Sequence, residues 1–324
     1  MSRLAIVIPS IGSVENLEGT LLSVLESRPS RTEIVVVHAH DYDDPYHLQG
    51  EVRLIQAPAR SSFVTCANLG IRETSSDVVH LLAAGCQVRD GWTDGAIRHF
   101  SDPRVAVVAP LLIDVLEPTH AVSTGLSYGI GGVRRSNHSF VADVYDAGVS
   151  PILAASLQAV FYNRLTLSTV GLLSPEVGAD LADIDLGLLL RHAGFVSLYD
   201  PRLQVRAPNK PLEALSAFQQ AVAAERLFWR NAPLVGWVRS LLAHPFALAA
   251  EAASQFPKLS MLSRLCGRAM GAAMIGSARR HHQRSQDLCN AAPVLANRSS
   301  RQVRIDQAHL RQTSRNAAEE VRAK

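Results

Sequence analysis

One carboxylate in a helix-like segment is a candidate for acid–base chemistry. Asp183 lies in the segment GADLADIDLGLLLRHAG. A carboxylate can remove the proton of a substrate hydroxyl when it lies within hydrogen-bond reach of that oxygen. Asp183 could instead start a helix at IDLGLLL, because Asp is favourable in a first helical turn. Asp185 would point elsewhere on such a helix. Both roles of Asp183 stay open at this point.

A pair of histidines in VVVHAHDYDDPY is the second candidate. His38 and His40 would point the same way from a strand end, and His-x-His opens several metallohydrolase sites. One such class needs Asp at position 42, where this sequence has Tyr42, and no second histidine cluster with hydrolase spacing follows. Three interpretations stay open: the polar rim of a nucleotide pocket, a hydrolytic metal site, and an inert surface loop.

Short apolar runs alternate with amphipathic segments over the first 112 residues. Runs rich in Val, Ile and Leu are typical of buried strands, and strand–helix alternation predicts a mainly parallel sheet covered by helices. The expected strands are LAIVI (4–8), EIVVV (33–37), VRLIQ (52–56), VVHLL (78–82) and VAVVA (105–109). Helices are expected at VENLEGTLLSVLES, FVTCANLGIRE, WTDGAIRHF and ADIDLGLLLRHAGF, and a hairpin with its loop at GLSYGIGG.

The chain is expected to divide into three regions. These are a domain over 1–210, amphipathic helices over 211–278, and a basic, disordered tail over 279–324 that has few large apolar residues. Pro233, Pro245 and Pro257 are expected to cut the second region into short helices. Residues 1–209 carry a net charge of −7 and residues 210–324 a net charge of +10. The two parts are therefore expected to face different partners.

Composition and cysteine usage favour a cytoplasmic protein with a large core. Apolar residues make up 47% of the chain, and its four cysteines show no CxxC spacing, which favours buried reduced thiols over zinc or disulfides. The run LAIVI is too short for a signal peptide, and no run approaches the ~20 apolar residues of a membrane helix. We expect a cytoplasmic chain with no nucleic-acid partner.

Four segments carry a resemblance to a known family: IVIPSIGSVENLEGTLLSVL, CANLGI, VRDGWTDGAIRHFSDPRVAVVAP and VGLLSPEVGADLADIDLGLLLRHAG. In this order they resemble glycosyltransferase family 2, whose members are inverting nucleotide-sugar transferases. The resemblance covers residues 3 to 232. It implies an α/β GT-A fold with a mainly parallel sheet flanked by helices, extended here by C-terminal helices. It also implies a nucleotide-sugar donor, a glycan or lipid-linked acceptor, and Asp183 as the catalytic base.

The sequence departs from this family at the positions that, by the resemblance, would bind a divalent metal. The family's Asp-x-Asp motif falls on positions 83 to 85, which are Ala, Ala and Gly, and a later His ligand falls on Ala207. The Glu of a Glu-Asp pair falls on Ala182. A hard cation such as Mn²⁺ or Mg²⁺ needs oxygen ligands, which alkyl groups do not offer. We expect no metal site and a chemistry that is metal-independent or impaired.

The resemblance also implies a set of residues around the nucleotide sugar. His38 takes the place of an Asp that commonly contacts the base or ribose. Without a metal, a permanently charged arginine could balance the diphosphate, and Arg206, Arg89 and Arg60 are candidates, although each could equally be a solvated surface charge. The predicted donor-site residues are Pro9, Ser10, His38, His40, Asn68, Ala84, Arg89 and Arg206.

Two functions are therefore carried forward: an active, metal-independent transferase, and a degenerate transferase fold that serves as a scaffold. Retained Asp183 favours the first and the missing metal ligands favour the second. The helices of 211–278 are expected either to lie on anionic lipid at the inner face of the membrane, or to pack on the domain or form a dimer. The cations expected to face lipid are Arg226, Arg230, Arg239, Lys258, Arg264 and Arg268.

Overall fold

The computed structural model describes residues 4–129, 132–136, 139–145, 147–235, 237–255 and 260–274. Within these residues the strands are β1 (Leu4–Ser10), β2 (Thr32–His38), β3 (Arg53–Gln56), β4 (Val78–Leu82), β5 (Val105–Asp114), β6 (His120–Ser123), β7 (Leu126–Tyr128), β8 (Arg134–Ser136), β9 (Ser139–Phe140), β10 (Ser150–Ile152), β11 (Ala159–Asn163) and β12 (Val196–Ala207). The helices are α1 (Val14–Glu26), α2 (Phe63–Glu73), α3 (Ala96–His99), α4 (Val141–Tyr145), α5 (Arg164–Thr169), α6 (Ala179–His192), α7 (Ala217–Val235), α8 (Trp237–Gln255) and α9 (Ser260–Ala273).

One large sheet organises the domain, in the order β10-β12-β5-β11-β4-β1-β2-β3. Strands β1 to β4 run parallel to one another, β5 and β12 are parallel, and β11 is antiparallel to both β4 and β5. The expected α/β class with a mostly parallel sheet is confirmed. The carboxyl ends of β1, β2 and β4 meet at one edge, which is where open α/β sheets usually bind ligands.

Local signals explain where the first helices begin. The side chains of Ser13 and Ser62 accept hydrogen bonds from the backbone N–H groups of Asn16 and Thr65, which caps α1 and α2. Strand β4 and helix α2 have the predicted bounds. Helix α3 is shorter than predicted, because the segment before it forms turns in which the N–H groups of Trp92, Asp94 and Ala96 bond the carbonyls three residues back.

The C-terminal region forms longer helices than predicted. The expectation that Pro233 and Pro245 would divide it is wrong, since they lie inside α7 and α8, which have 19 residues each. Packing offsets the lost backbone hydrogen bonds: α7 contacts α6, α8 and α9. Helix α9 can approach α7 closely because Gly267 has no Cβ, which would lie 2.5 Å from the carbonyl oxygen of Phe218. Pro257 and the predicted tail from 279 lie outside the described residues.

Helix length and polarity also bear on membrane insertion. Within the described parts of the chain, no helix is both long and apolar enough to cross a bilayer.

Candidate active site

The turn after β4 is enclosed by the ends of neighbouring elements. Ala83 N–H donates to the carbonyl of Gln158 at 2.7 Å, and Ala84 N–H to that of Pro9 at 3.3 Å. Gly85 N–H donates to Thr20 Oγ1 at 2.8 Å. Gly85 has a φ of +99°, and the position of a Cβ there would lie 3.7 Å from the side chains of Asn16 and Pro208. These hydrogen bonds therefore hold the turn in place at the edge where the carboxyl ends of β1, β2 and β4 meet. The turn places no polar side chain there.

This arrangement does not fit a divalent metal. Positions 83 to 85 and Ala207 present only methyl groups or hydrogen, and a hard cation needs oxygen ligands. Across the described residues, no group of three or more His, Cys, Asp or Glu side chains is placed to hold a metal ion. The cation that the family implies therefore finds no ligand set in this part of the molecule.

The pairing of β1 with β2 brings three of the predicted donor-site residues, Ser10, His38 and His40, close together. Ser10 is the register partner of His38, and Ser10 Oγ lies 2.8 Å from His40 Nε2. His38 Nδ1 lies 2.7 Å from the carbonyl oxygen of His40. Pro9 precedes Ser10 at the same strand end. Asp44, from the acidic run after the histidines, instead accepts the backbone N–H of Leu48 at 3.0 Å. The cluster is polar and compact, and its role as the rim of a nucleotide pocket stays a prediction.

The other predicted donor-site residues are dispersed. Asn68 is buried in α2, where its Nδ2 donates to the carbonyl of Leu173 at 2.8 Å and its Oδ1 accepts the N–H of Leu173 at 3.1 Å. Arg206 and Gln87 exchange both backbone hydrogen bonds, and exposed Arg89 lies two residues beyond Gln87. Asn68 thus fastens the segment before α6, while Arg206 and Arg89 lie on adjacent segments. Their roles toward a nucleotide stay predictions.

A cavity of about 980 Å³ lies between the sheet domain and helices α7 to α9. Asp183 lines it, together with Asp180, Arg134, Gln158 and Lys210. The residues predicted for the donor site do not line it. The candidate base therefore faces this cavity, whereas the residues predicted for the nucleotide rim lie outside its lining.

Asp183 is held in an ion pair inside the wall of this cavity. It is the fifth residue of α6, so it does not start the helix, and it is only 3% exposed. Its Oδ2 lies 2.9 Å from Nη2 of Arg134, and its Oδ1 accepts the N–H of Ile184 at 2.7 Å. Burial raises the pKa of Asp183 above its usual range, while the charge and hydrogen bond of Arg134 oppose that rise.

Sequence reasoning missed three of the residues that build this site. Arg134 comes from β8, 49 residues before Asp183, and no motif marked it. Gln158 Nε2 donates to the carbonyls of Pro208, at 2.7 Å, and Lys210, at 3.2 Å, which holds the segment after β12 in place. The third missed residue is Lys210. The sequence did contain a signal for it, because it is the first lysine of the chain and lies three positions after Ala207.

Comparison with known proteins identifies the fold. No protein-family model matches the chain. Over 108 residues it is 31% identical to polypeptide N-acetylgalactosaminyltransferase 12 of Mus musculus, covering 30% of this chain and 19% of the relative. Over 81 residues it is 27% identical to the pre-mycofactocin glycosyltransferase of Mycobacterium tuberculosis, covering 25% and 17%. The matched segments thus span less than a fifth of either relative.

Solved structures extend the likeness to most of the chain. GalNAc-T7 with UDP, GalNAc and Mn²⁺ superposes with a TM-score of 0.54 at 12% identity, covering 79% of this chain and 58% of that one. The mannosyltransferase PcManGT of Pyrobaculum calidifontis, in complex with GDP-Man and Mn²⁺, gives 0.52 at 17% identity, covering 90% and 86%. The resemblance is confirmed at the level of the GT-A class, whereas family 2 itself stays a prediction. This chain has the GT-A fold, and its sequence relatives are glycosyltransferases.

Proposed function

We propose that this protein transfers a sugar from a nucleotide-diphosphate sugar to an acceptor hydroxyl, with Asp183 as the base. The observation that carries the proposal is the position of Asp183, a buried carboxylate in the wall of a large cavity on a fold shared with glycosyltransferases. The carboxylate accepts the proton of the acceptor hydroxyl while the acceptor oxygen bonds to the anomeric carbon. The bond from that carbon to the diphosphate breaks, and its electron pair leaves with the nucleoside diphosphate. Attack from the face opposite the leaving group inverts the anomeric carbon.

The proposed transfer does not use a metal. Two solved structures of similar fold hold Mn²⁺, one with UDP and GalNAc and one with GDP-Man, but the turn at 83 to 85 offers no ligand for it. The negative charge of the diphosphate must then be balanced by side chains. Lys210 lines the same cavity as Asp183, and Arg206 and Arg89 lie on the adjoining segments. These three cations are the proposed counter-charges.

The test is release of nucleoside diphosphate by the purified full-length chain. UDP-, GDP- and dTDP-sugars are each incubated with and without a mixture of sugar alcohols and alkyl glycosides as acceptors. Transfer predicts release that depends on an acceptor, and proton NMR of the product then gives the configuration of the new bond. Because the sequence relatives include retaining enzymes, a retained configuration would overturn inversion without overturning transfer.

A second function is favoured by the same ion pair. Asp183 is tied to Arg134, and the metal ligands of the family are absent together, as expected of a fold kept as a binding or scaffolding subunit. The two functions are separated by turnover. A scaffold binds nucleotide or glycan but releases no nucleoside diphosphate with any donor and acceptor in the panel.

We further propose that α8 contacts a membrane surface. Helices α7 and α9 pack within the fold, but Val238, Leu242 and Phe246 form one stripe along α8 and are 66%, 67% and 77% exposed. Most of the cations expected to face lipid are engaged elsewhere: Arg230, Arg264 and Arg268 pair with carboxylates, and Arg226 donates to the carbonyl of Glu176. The contact proposed is therefore mainly apolar, with exposed Arg239 beside it.

A further inference from the structure

Alanine side chains form part of the helix side of the cavity that contains Asp183, next to a charged cluster on the same side. Helix α8 contributes residues spaced four and three apart, so they lie on one face, and α7 contributes two neighbours. A methyl group fills little space and makes no hydrogen bond, which leaves this wall apolar and recessed. The lining alanines are Ala223, Ala224, Ala243, Ala247 and Ala250.

The charged residues on the helix side are occupied by one another. Arg268 lies 2.6 Å from one carboxylate oxygen of Glu251, and Arg264 lies 3.2 Å from the other. Arg268 also pairs with buried Glu225 at 3.3 Å, and Arg264 donates to Gln220 at 3.1 Å. The terminal nitrogens of both arginines are thus paired, while their buried Nε atoms have no hydrogen-bond partner among the described residues.

A sugar chain would be a poor occupant of the alanine wall. Each ring carries hydroxyl groups that must find hydrogen-bond partners when they leave water, or their burial is unfavourable. Among the described residues that line the cavity there is no aromatic side chain, and the wall itself offers methyl groups alone. The polar and charged groups suited to a hydroxyl-bearing head lie on the sheet side, at Asp183, Asp180 and Gln158.

We propose that the acceptor is an amphiphile, with its reacting hydroxyl at Asp183 and an apolar chain along the alanine wall. The volume of about 980 Å³ lies at the upper end of the roughly 300 to 1,000 Å³ usual for small-molecule sites, which leaves room for both parts. Burial of the chain supplies binding energy in proportion to the apolar area removed from water. The role of the acceptor hydroxyl at Asp183 rests on the proposed transferase function. The binding of the ligand's apolar chain to the alanine wall does not.

Binding of octyl and methyl β-D-glucopyranoside to the full-length chain tests the proposal. Isothermal calorimetry is done below the micelle concentration, so that only monomeric octyl glucoside is present. We expect octyl glucoside to bind at least about tenfold more tightly than methyl glucoside, because its chain leaves water. Ala247→Phe, which fills the wall, should remove that preference, and Ala243→Leu should weaken it. Ala249→Phe places the same ring on the exposed side of α8 and should leave the preference intact.

Several outcomes would overturn the proposal. Equal affinity for the two glycosides excludes an apolar subsite. Thermal melting checks that Ala247→Phe and Ala243→Leu are folded. If both folded variants still prefer octyl glucoside, the octyl group binds the exposed stripe of α8 instead of the cavity. Turnover is read separately, by comparing the KM of octyl and methyl acceptors with any active donor. If no donor is turned over but Ala247→Phe still abolishes octyl binding, the transferase function fails and the apolar subsite stands.

Discussion

Arg134 Nη2 and Asp183 Oδ2 lie 2.9 Å apart in the cavity wall, and they join a hairpin strand to helix α6 across 49 residues of sequence. A carboxylate as buried as Asp183 would otherwise favour its neutral form, because charge is poorly solvated there. The guanidinium opposes the rise in the pKa of Asp183 and so favours the ionised form, which the proposed base requires. Arg134 donates to both of its oxygens, from Nη2 to Oδ2 and from Nε to Oδ1 at 3.5 Å, so an acceptor must use the remaining lone pairs or displace the arginine.

Removing the charge of Asp183 tests its role as base. Asp183→Asn keeps the shape of the side chain but cannot accept the proton, so turnover should fall by about 10²- to 10⁴-fold. Affinity for the donor should be nearly unchanged, as measured by calorimetry with the nucleoside diphosphate. Asp143→Asn, at an exposed position outside this cavity, is the control and should lose far less. Equal turnover of Asp183→Asn and the parent protein would remove Asp183 from the mechanism.

Arg134 should set the pH dependence of turnover. Burial raises the pKa of Asp183 and Arg134 opposes the rise, so Arg134→Gln should raise that pKa further. Activity requires the carboxylate and is lost as pH falls through this pKa. The acid limb of kcat/KM should therefore move to higher pH in Arg134→Gln and return toward its parent position in Arg134→Lys. A limb at the same pH in all three proteins would mean that the pair does not control the base.

The framework of the sheet could be predicted because its signals are local. Strand β4 is a continuous apolar run and α2 begins at a capping serine, so both had the predicted bounds. The C-terminal helices were predicted too short, because Pro245 disfavours a helix locally while contacts with other helices stabilise it. Local preference is a weak guide where packing between helices determines the outcome.

The site was predictable only where a motif marks it. Asp183 was found through its segment, but Arg134 depends on where a hairpin folds back, which no spacing along the chain records. Asn68 shows the same limit. Its segment marks it for the donor site, which stays a prediction, but nothing along the chain indicates that its amide bonds the backbone of Leu173. The cavity itself exists only after α7 and α8 have packed on the domain.

Chelation should have little effect on nucleotide binding. Positions 83 to 85 and Ala207 present no metal ligand, so the affinity for UDP or GDP should be nearly the same with EDTA and with added Mn²⁺. Calorimetry in the two buffers measures this. A tenfold weaker affinity in EDTA would show that a metal binds with the nucleotide and would direct attention to Asp41 and Asp43.

Asn68 should matter more for stability than for donor binding. Asn68→Ala leaves the buried backbone N–H and carbonyl of Leu173 without their partners, which costs about 1 to 3 kcal/mol of the free energy of unfolding. Denaturant unfolding measures this loss, and Asn209→Ala, at an exposed position, is the control. A variant that is as stable as the parent but binds nucleoside diphosphate more weakly would restore Asn68 to the donor site.

Vesicle flotation tests the contact of α8 with a membrane surface. The full-length chain should float with anionic phosphatidylglycerol vesicles, because the stripe of Val238, Leu242 and Phe246 can leave water in the headgroup layer. Since Arg264 and Arg268 pair within the fold, high salt should release only part of the bound protein. The double variant Leu242→Ser with Phe246→Ser should lose most flotation, whereas Leu165→Ser, at an exposed position on α5, should keep it.

A parent chain that stays in the soluble fraction at low ionic strength would show that the stripe does not bind lipid. Flotation that salt abolishes and the double variant retains would assign the contact to basic residues instead of α8.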